Sequence, residues 1–554
     1  MSESAGHENH RSEDPSSRAR DTTRPVILIG FQEQTNLGLG YLASVLRRYG
    51  YKVVVFDFEL DRAEILRAAK ALDPIVIGFS LIFQFYVDRF RELSDYLRDN
   101  GVTCHFTMGG HFPSLSTEQT FALVPAMDSI VRYEGEMTLL ELADRLGTAE
   151  EWHTVRGLVY KDGGQVIHSA LRPLLGDLDE LPYPERLRPN MILGRRAMPI
   201  IASRGCIRTC SFCSIHVFYR QAPGKVVRTR KPARVVEEMA LLYREQGISV
   251  FLFQDDDFPL YGPVWRRWAN EFVDELHRSG LPGRVIWKIN CRADAVDAEL
   301  LARMRDAGLF VVYMGLESGS EEGLATLHKQ ITLEQNLRAV ETLKSLGLLF
   351  EYGFMMFDPS TTFDSVHANL RFLRSIVGDG IAPASFCRMV PYDGTPIKDQ
   401  LAREGRLRGD VNHPDYDFLD PRIDEFFHAL NQMVHVSGWI HGIQALTPQL
   451  QYENSEVAIM ERLFPPLPGL AAYKESLRKI TRSANELLFR IVEETARVYA
   501  EGKPAKWTPA KVRSRCQSYI DRLVRDRNAF VLRNQRLLLQ SLGESGAAQS
   551  MHAS

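Results

Sequence analysis

Three cysteines, Cys206, Cys210 and Cys213, stand in the spacing C-x-x-x-C-x-x-C within a chain of 554 residues that has only seven Cys. Thiolates bind soft metals, and three on one tight loop can hold three corners of a [4Fe–4S] cube, leaving the fourth iron open to a small-molecule ligand. Structural zinc is the alternative, because His216 could complete a Cys₃His set. A zinc knuckle makes a small autonomous unit, whereas this loop follows an apolar strand and opens a long strand–helix series. The other four cysteines, Cys104, Cys291, Cys387 and Cys516, have no partner spacing and read as small buried packing residues.

Further polar residues collect where apolar runs end. FQDDDF at 253–258 offers Gln254, Asp255 and Asp256, an amide and carboxylates suited to an ammonium group, or else a solvated loop or helix cap. In WKINCRAD at 287–294, strand alternation sets Lys288, Asn290 and Arg292 on one side, where they could face a carboxylate together. Gly315-Leu316-Glu317-Ser318-Gly319 and Tyr392-Asp393-Gly394-Thr395-Pro396 close two later runs.

The elements that must position these residues alternate regularly. Strands are expected at 199–203, 250–254, 285–289, 311–315, 348–355 and 385–390, with helices at 234–246, 264–278, 298–307, 333–346 and 363–376. Six repeats imply a partial (β/α)6 TIM-type barrel over 190–415, with chemistry at the strand carboxyl ends. Upstream, 25–175 alternates strands at 26–31, 53–58, 75–80 and 103–109 with helices, the pattern of a doubly wound, Rossmann- or flavodoxin-like parallel sheet. Its ligand rim would comprise 32–36, 80–83 and 109–112. From 416 to 542 the pattern is mostly helical, with long amphipathic helices at 474–499 and 509–542. The fold class is therefore α/β with a helical C-terminal domain. Residues 1–24 and 543–554 lack apolar periodicity and are expected to be disordered tails.

With 67 Lys and Arg against 70 Asp and Glu, the net charge of −3 argues against a nucleic-acid partner. No apolar run reaches bilayer length and no signal-type start is present, so no membrane partner and a cytoplasmic location are expected.

The run Ser203-Arg204-Gly205-Cys206 through Cys210-Ser211-Phe212-Cys213 resembles the cluster loop of the radical S-adenosylmethionine (SAM) superfamily, including the aromatic Phe212 before the third cysteine. The resemblance implies a [4Fe–4S] cluster on the three cysteines, with SAM chelating the fourth iron. It implies SAM contacts from Phe212, Gln254, Asp255, Asp256, Lys288, Asn290, Arg292, Glu317 and Ser318. It also implies an external electron donor such as flavodoxin or ferredoxin. The N-terminal region resembles the cobalamin-binding domain that precedes many such barrels, on Asn36-Leu37-Gly38-Leu39-Gly40, Gly78-Phe79-Ser80, Gly109-Gly110-His111 and Glu134-Gly135-Glu136. The contacts implied there are Thr35, Asn36, Leu37, Gly38, Ser80, Leu81, Gly109, Gly110, His111 and Glu134. The D-x-H-x-x-G motif of other corrinoid domains is absent, since Glu33 and Thr35 stand at its acid and histidine positions. His111 reads as a turn residue or a contact to the cobalamin tail.

What the resemblance implies is methylation of an unactivated carbon, or of phosphorus, in a small-molecule substrate by means of methylcobalamin. The sheet rim would then face the barrel, and the C-terminal helices would cap it, with Tyr392 and Arg388 as wall residues; their alternative role is packing and surface pairing. A radical oxidative cyclisation or rearrangement, and a non-catalytic corrinoid- or zinc-binding module, are the competing readings.

Overall fold

The computed structural model describes residues 20–32, 36–186, 188–442 and 444–550, with side chains described to 541. The chain divides into two compact units, Met1–Leu175 with Leu181–Arg186 and Gly176–Glu180 with Leu187–Ser554.

In the first unit, β1 (Val26–Gly30), β2 (Val53–Asp57), β3 (Val76–Ser80), β4 (His105–Gly109) and β5 (Ser129–Val131) run parallel in the order β2-β1-β3-β4-β5. Every residue of β1 is buried, which is why its sequence is apolar without alternation. The strand order reverses at β1, and there Gly30, Ser80 and Gly109 lie side by side at the carboxyl edge. An antiparallel hairpin, β6 (Leu158–Asp162) and β7 (Gln165–His168), extends the sheet beyond the expected strands. Its two-residue turn, Gly163-Gly164, has both φ values positive (53° and 85°), the signature of a hairpin turn matched to strand twist.

In the second unit, β8 (Asn190–Ile192) pairs antiparallel with β9 (Arg195–Ile200), and a short ladder joins β10 (Ser203–Arg204) to β11 (Arg228–Thr229). Strands β12 (Ile248–Phe253), β13 (Ile286–Cys291), β14 (Leu309–Glu317), β15 (Leu349–Phe357) and β16 (Cys387–Arg388) complete a sheet ordered β16-β15-β14-β13-β12-β9-β8. The six parallel strands of the expected half-barrel are present. The first begins at Arg195 rather than 199, because two arginines spend their charge on carbonyls: Arg195 on Leu463 (2.9 Å) and Arg196 on Gln246 (2.7 Å).

Alternation sorts each strand into two faces. Phe251, Phe253, Trp287, Ile289, Val312 and Phe350 join the main core under the outer helices. Ala197, Val250, Ile286 and Val311 face the other way and meet Ala458 and Ile459 of the helix Leu446–Leu463. That helix plugs the amino-terminal half of the barrel. Its buried positions go round much of its circumference, from Leu446, Thr447 and Leu450 to Glu453, Glu456 and Val457, so no single apolar stripe marked it in the sequence. The helices Leu470–Glu501 and Pro509–Ser550 pack beside it. The last helix passes the boundary expected at 542. Ordered contacts also begin at Arg20, whose Nε lies 3.0 Å from Asp144, rather than at residue 25.

Candidate active site

The cysteine loop leaves β10 through Gly205, whose φ is +88°; a Cβ there would stand 2.1 Å from the Val226 carbonyl oxygen, so only glycine fits. Two aspartates hold this entry. Asp255 accepts from the Ala202 N–H (3.1 Å) and the Ser203 hydroxyl (2.5 Å), and Asp256 accepts from the Gly205 N–H (2.8 Å). Farther along, Ser211 donates its N–H to the Leu327 carbonyl (3.0 Å) and accepts from Ile397 N–H (3.0 Å). The Thr395-Pro396-Ile397 segment is thus a strut for the loop.

Cys210 is buried, and Cys206 and Cys213 are half-buried. Burial, aided by Asp257, pushes the Cys206 thiol up to about 12, and burial pushes Cys213 up to about 11. Thiols in such a place ionise only when a metal supplies positive charge. The His216 Nε2 lies 3.0 Å from the Cys210 carbonyl oxygen, which occupies the ring as a strut. The donor set fits a cluster with one open iron.

Two groups at the cluster loop differ from expectation. Asp257, which sequence reasoning did not single out, sets Oδ2 4.0 Å from Cys206 Sγ, and its Oδ1 is buried without a hydrogen-bond partner. Burial raises its pKa to about 6, against the pull of Arg292, Arg208 and Lys329. A buried orphan carboxylate oxygen on a residue beside Cys206 would suit an ammonium such as that of SAM. Asp255 does not fit: just past the end of β12 it is committed to Ala202 and Ser203 and fully enclosed, and burial raises its pKa to about 7. Gln254 and Asp256 remain open to solvent.

The residues expected to meet a SAM carboxylate share a face but do not act together. Lys288 is ion-paired with Glu351, one layer deeper. Arg292 is buried, pairs with Asp294 (2.9 Å), donates to the Lys329 carbonyl (2.7 Å) and points Nη1 at Cys210 Sγ (3.8 Å). Asn290 alone stays between them, reaching the Asp255 carbonyl at 3.4 Å. Phe212 packs partly against the main core.

The barrel interior above the plug is polar. Tyr313 pairs in register with Asn290 on β13 and Glu351 on β15, and is 36% exposed. Glu317, with a left-handed φ of +65°, holds the Lys329 Nζ at 2.8 Å. A Cβ on Gly315 would stand 2.3 Å from Glu317 Oε1, and one on Gly353 would stand 2.7 Å from the Tyr313 hydroxyl. Those glycines make room for the pair. Ser318 is fully buried and tied to Asn369 and Ser320 at 3.2 Å, so it serves the turn and not a ligand. Arg388 stacks over Tyr416, Phe418 and Phe427 (4.3 to 4.6 Å) and pairs with Asp415, a structural staple and not a wall residue. Tyr392 is half-buried. Cys387, expected in the core, is exposed, while surrounding protein still pushes its thiol up to about 12. It lies close enough to Glu317 and Tyr313 to interact electrostatically.

In the first unit the rim is built as the sheet order requires. Gly110 has φ +112°, and a Cβ there would lie 2.3 Å from the Leu81 carbonyl oxygen. Gly109, Gly110, His111 and Ser80 are half-buried and Gly38 is exposed, so they can meet a ligand. Burial drives His111 down to about 4, so the ring is neutral. Leu37 and Leu81 are buried and offer only backbone. Asn36 caps the helix Leu37–Arg48 through the Leu39 N–H (3.1 Å), and Glu134 accepts from the Leu175 N–H (3.1 Å), so both are engaged locally. Thr35 lies outside the described residues.

Comparison with known proteins agrees with both halves. The B12 binding domain model matches residues 26–143 and the radical SAM superfamily model matches 200–373. An uncharacterized methyltransferase of Pyrococcus horikoshii is 30% identical over 392 residues, 70% of this chain and 82% of the relative. The anaerobic magnesium-protoporphyrin IX monomethyl ester cyclase of Rubrivivax gelatinosus is 28% identical over 401 residues, 69% of this chain and 68% of the relative. The cobalamin-dependent SAM radical enzyme OxsB, solved with aqua-cobalamin and SAM bound, shares the fold at TM-score 0.68 and 20% identity, over 95% of this chain and 84% of that one. With a cysteine loop suited to a [4Fe–4S] cluster and SAM, and a glycine rim suited to cobalamin, this chain belongs to the cobalamin-dependent radical SAM enzymes.

Proposed function

We propose that the enzyme methylates an unactivated carbon, or phosphorus, of a small-molecule biosynthetic intermediate. The observation that carries this reading is the pairing, on one chain, of a cluster loop and a corrinoid-type rim with 30% identity to a methyltransferase over most of its length. Held by Cys206, Cys210 and Cys213, a cluster with SAM would supply radical chemistry, and cobalamin at the glycine rim would supply a methyl group.

The protein's own part is placement and exclusion of water. Asp257 Oδ1 receives the SAM ammonium, and the exposed Gln254 and half-buried Asn290 are left for its other polar groups. The plug of Ala458 and Ile459 closes the barrel floor against solvent. Tyr313, with the Lys288–Glu351 pair, gives substrate a polar floor with no net charge. The single cysteine motif leaves electron delivery to an external flavodoxin or ferredoxin.

The similarity to a cyclase supports a second reading, in which the same radical chemistry forms a ring. Product analysis separates them. Reconstituted enzyme incubated anaerobically with reductant, labelled SAM, methylcobalamin and a metabolite extract should give 5′-deoxyadenosine, S-adenosylhomocysteine and a metabolite carrying the labelled methyl. 5′-Deoxyadenosine without the other two contradicts methylation.

A further inference from the structure

The helices Leu470–Glu501 and Pro509–Ser550 carry none of the residues of the cluster loop or barrel interior, yet with Gly378 and Trp507 they line an open surface cavity of about 720 Å³. That volume lies within the range of small-molecule sites. Its wall includes Arg482, Arg490 and Arg515 together with Trp507, Tyr519 and Glu486.

Some arginines near the cavity are paired: Arg478 with Asp379, Arg497 with Glu493, and Arg374 with both Glu486 and Glu493. Arg374 therefore engages the one carboxylate in the wall, at 3.4 Å. Arg482, Arg490 and Arg515 make no ion pair among the described residues. In a protein whose net charge is −3, three guanidinium groups facing one concavity make a local anion-attracting field. The aromatic groups are fixed in place. Trp507 donates its indole N–H to Glu494 (2.7 Å), and the Tyr519 hydroxyl donates to the Ser483 carbonyl (3.1 Å). With those polar ends engaged, each ring contributes an apolar surface to the cavity.

We propose that this cavity is a second binding site, for a small molecule that joins a planar ring to a phosphate. The phosphate is held by guanidinium forks and the ring lies against Trp507 and Tyr519. The site is independent of the methylation reading, since it involves no residue of the cluster loop or the barrel interior.

Phenyl phosphate, inorganic phosphate and phenol serve as probes of the holoenzyme, read by tryptophan fluorescence and ligand-observed NMR. Phenyl phosphate should bind saturably and at least about tenfold more tightly than either fragment, since each part then contributes its own contacts. The double variant R490Q/R515Q should weaken it about tenfold or more, as expected when charge-assisted contacts are removed. Trp507→Leu should abolish the advantage of phenyl phosphate over inorganic phosphate. SAM cleavage should be unchanged in these variants, which also reports that they fold. No saturable binding, binding indifferent to the arginine variants, or equal binding of phenyl phosphate and inorganic phosphate overturns the proposal.

Discussion

Arg292 offers a quantitative test of what the barrel does for its cluster. Its Nη1 lies 3.8 Å from Cys210 Sγ, and its side chain is buried. A unit charge at that distance is worth about 4 kcal/mol at an effective dielectric near 20. Asp294, 2.9 Å from Nε, offsets much of that. A residual of about 1–2 kcal/mol corresponds to roughly 40–80 mV for a one-electron couple. The cation favours the more negative, reduced cluster, so Arg292→Gln should lower the reduction potential by that amount, and Arg292→Lys by less. Anaerobic reconstitution followed by a redox titration monitored by electron paramagnetic resonance reads this directly. A potential unchanged within about 20 mV, with SAM affinity reduced instead, would refute the reasoning and return Arg292 to the SAM carboxylate.

Three further outcomes are expected. Asp257→Asn should keep full iron content but weaken SAM binding about tenfold or more, measured by equilibrium dialysis, because a charge-assisted contact is lost; unchanged affinity would remove Asp257 from the SAM site. Gly205→Ala meets both a φ of +88° and a carbonyl 2.1 Å away, and should cost more than about 2 kcal/mol and lower bound iron; normal thermal stability and iron content contradict the geometry. Glu453 is raised to about 7 by burial, above its unfolded value near 4.5, so its neutral form is the one the fold favours. Stability from this group is complete below about pH 4.5 and lost as pH rises through 7, up to roughly 3 kcal/mol. Denaturant unfolding should show that decline, and Glu453→Gln should flatten it; an identical pH profile in the variant argues against the assignment.

The parts legible in the sequence were those written in local spacing. The three cysteines, Gly205 and the six barrel strands follow from short-range pattern, and Ser80 and Gly109 follow from strand ends. What escaped depends on contacts through space. Three consecutive aspartates differ in role only because β12 ends at Phe253, which commits Asp255 to Ala202 and Ser203 and leaves Asp257 beside Cys206. Arg292 meets a thiol 82 positions away, and Lys288 meets Glu351 63 positions away. The plug helix has no apolar stripe because it is buried on several sides. Cys387 looked like packing because a lone cysteine carries no pattern, but it is exposed and lies close enough to Glu317 and Tyr313 to interact electrostatically.

The central claim, one chain that holds both an iron–sulfur cluster and a corrinoid, is met most directly by metal and sulfide quantification of the anaerobically purified and reconstituted protein. The account predicts about four irons, about four sulfides and about one cobalt per chain. It further predicts that alanine at Cys206, Cys210 and Cys213 together removes the iron while cobalt remains. Zinc in place of iron, or a chain that takes up no cobalt, would contradict it.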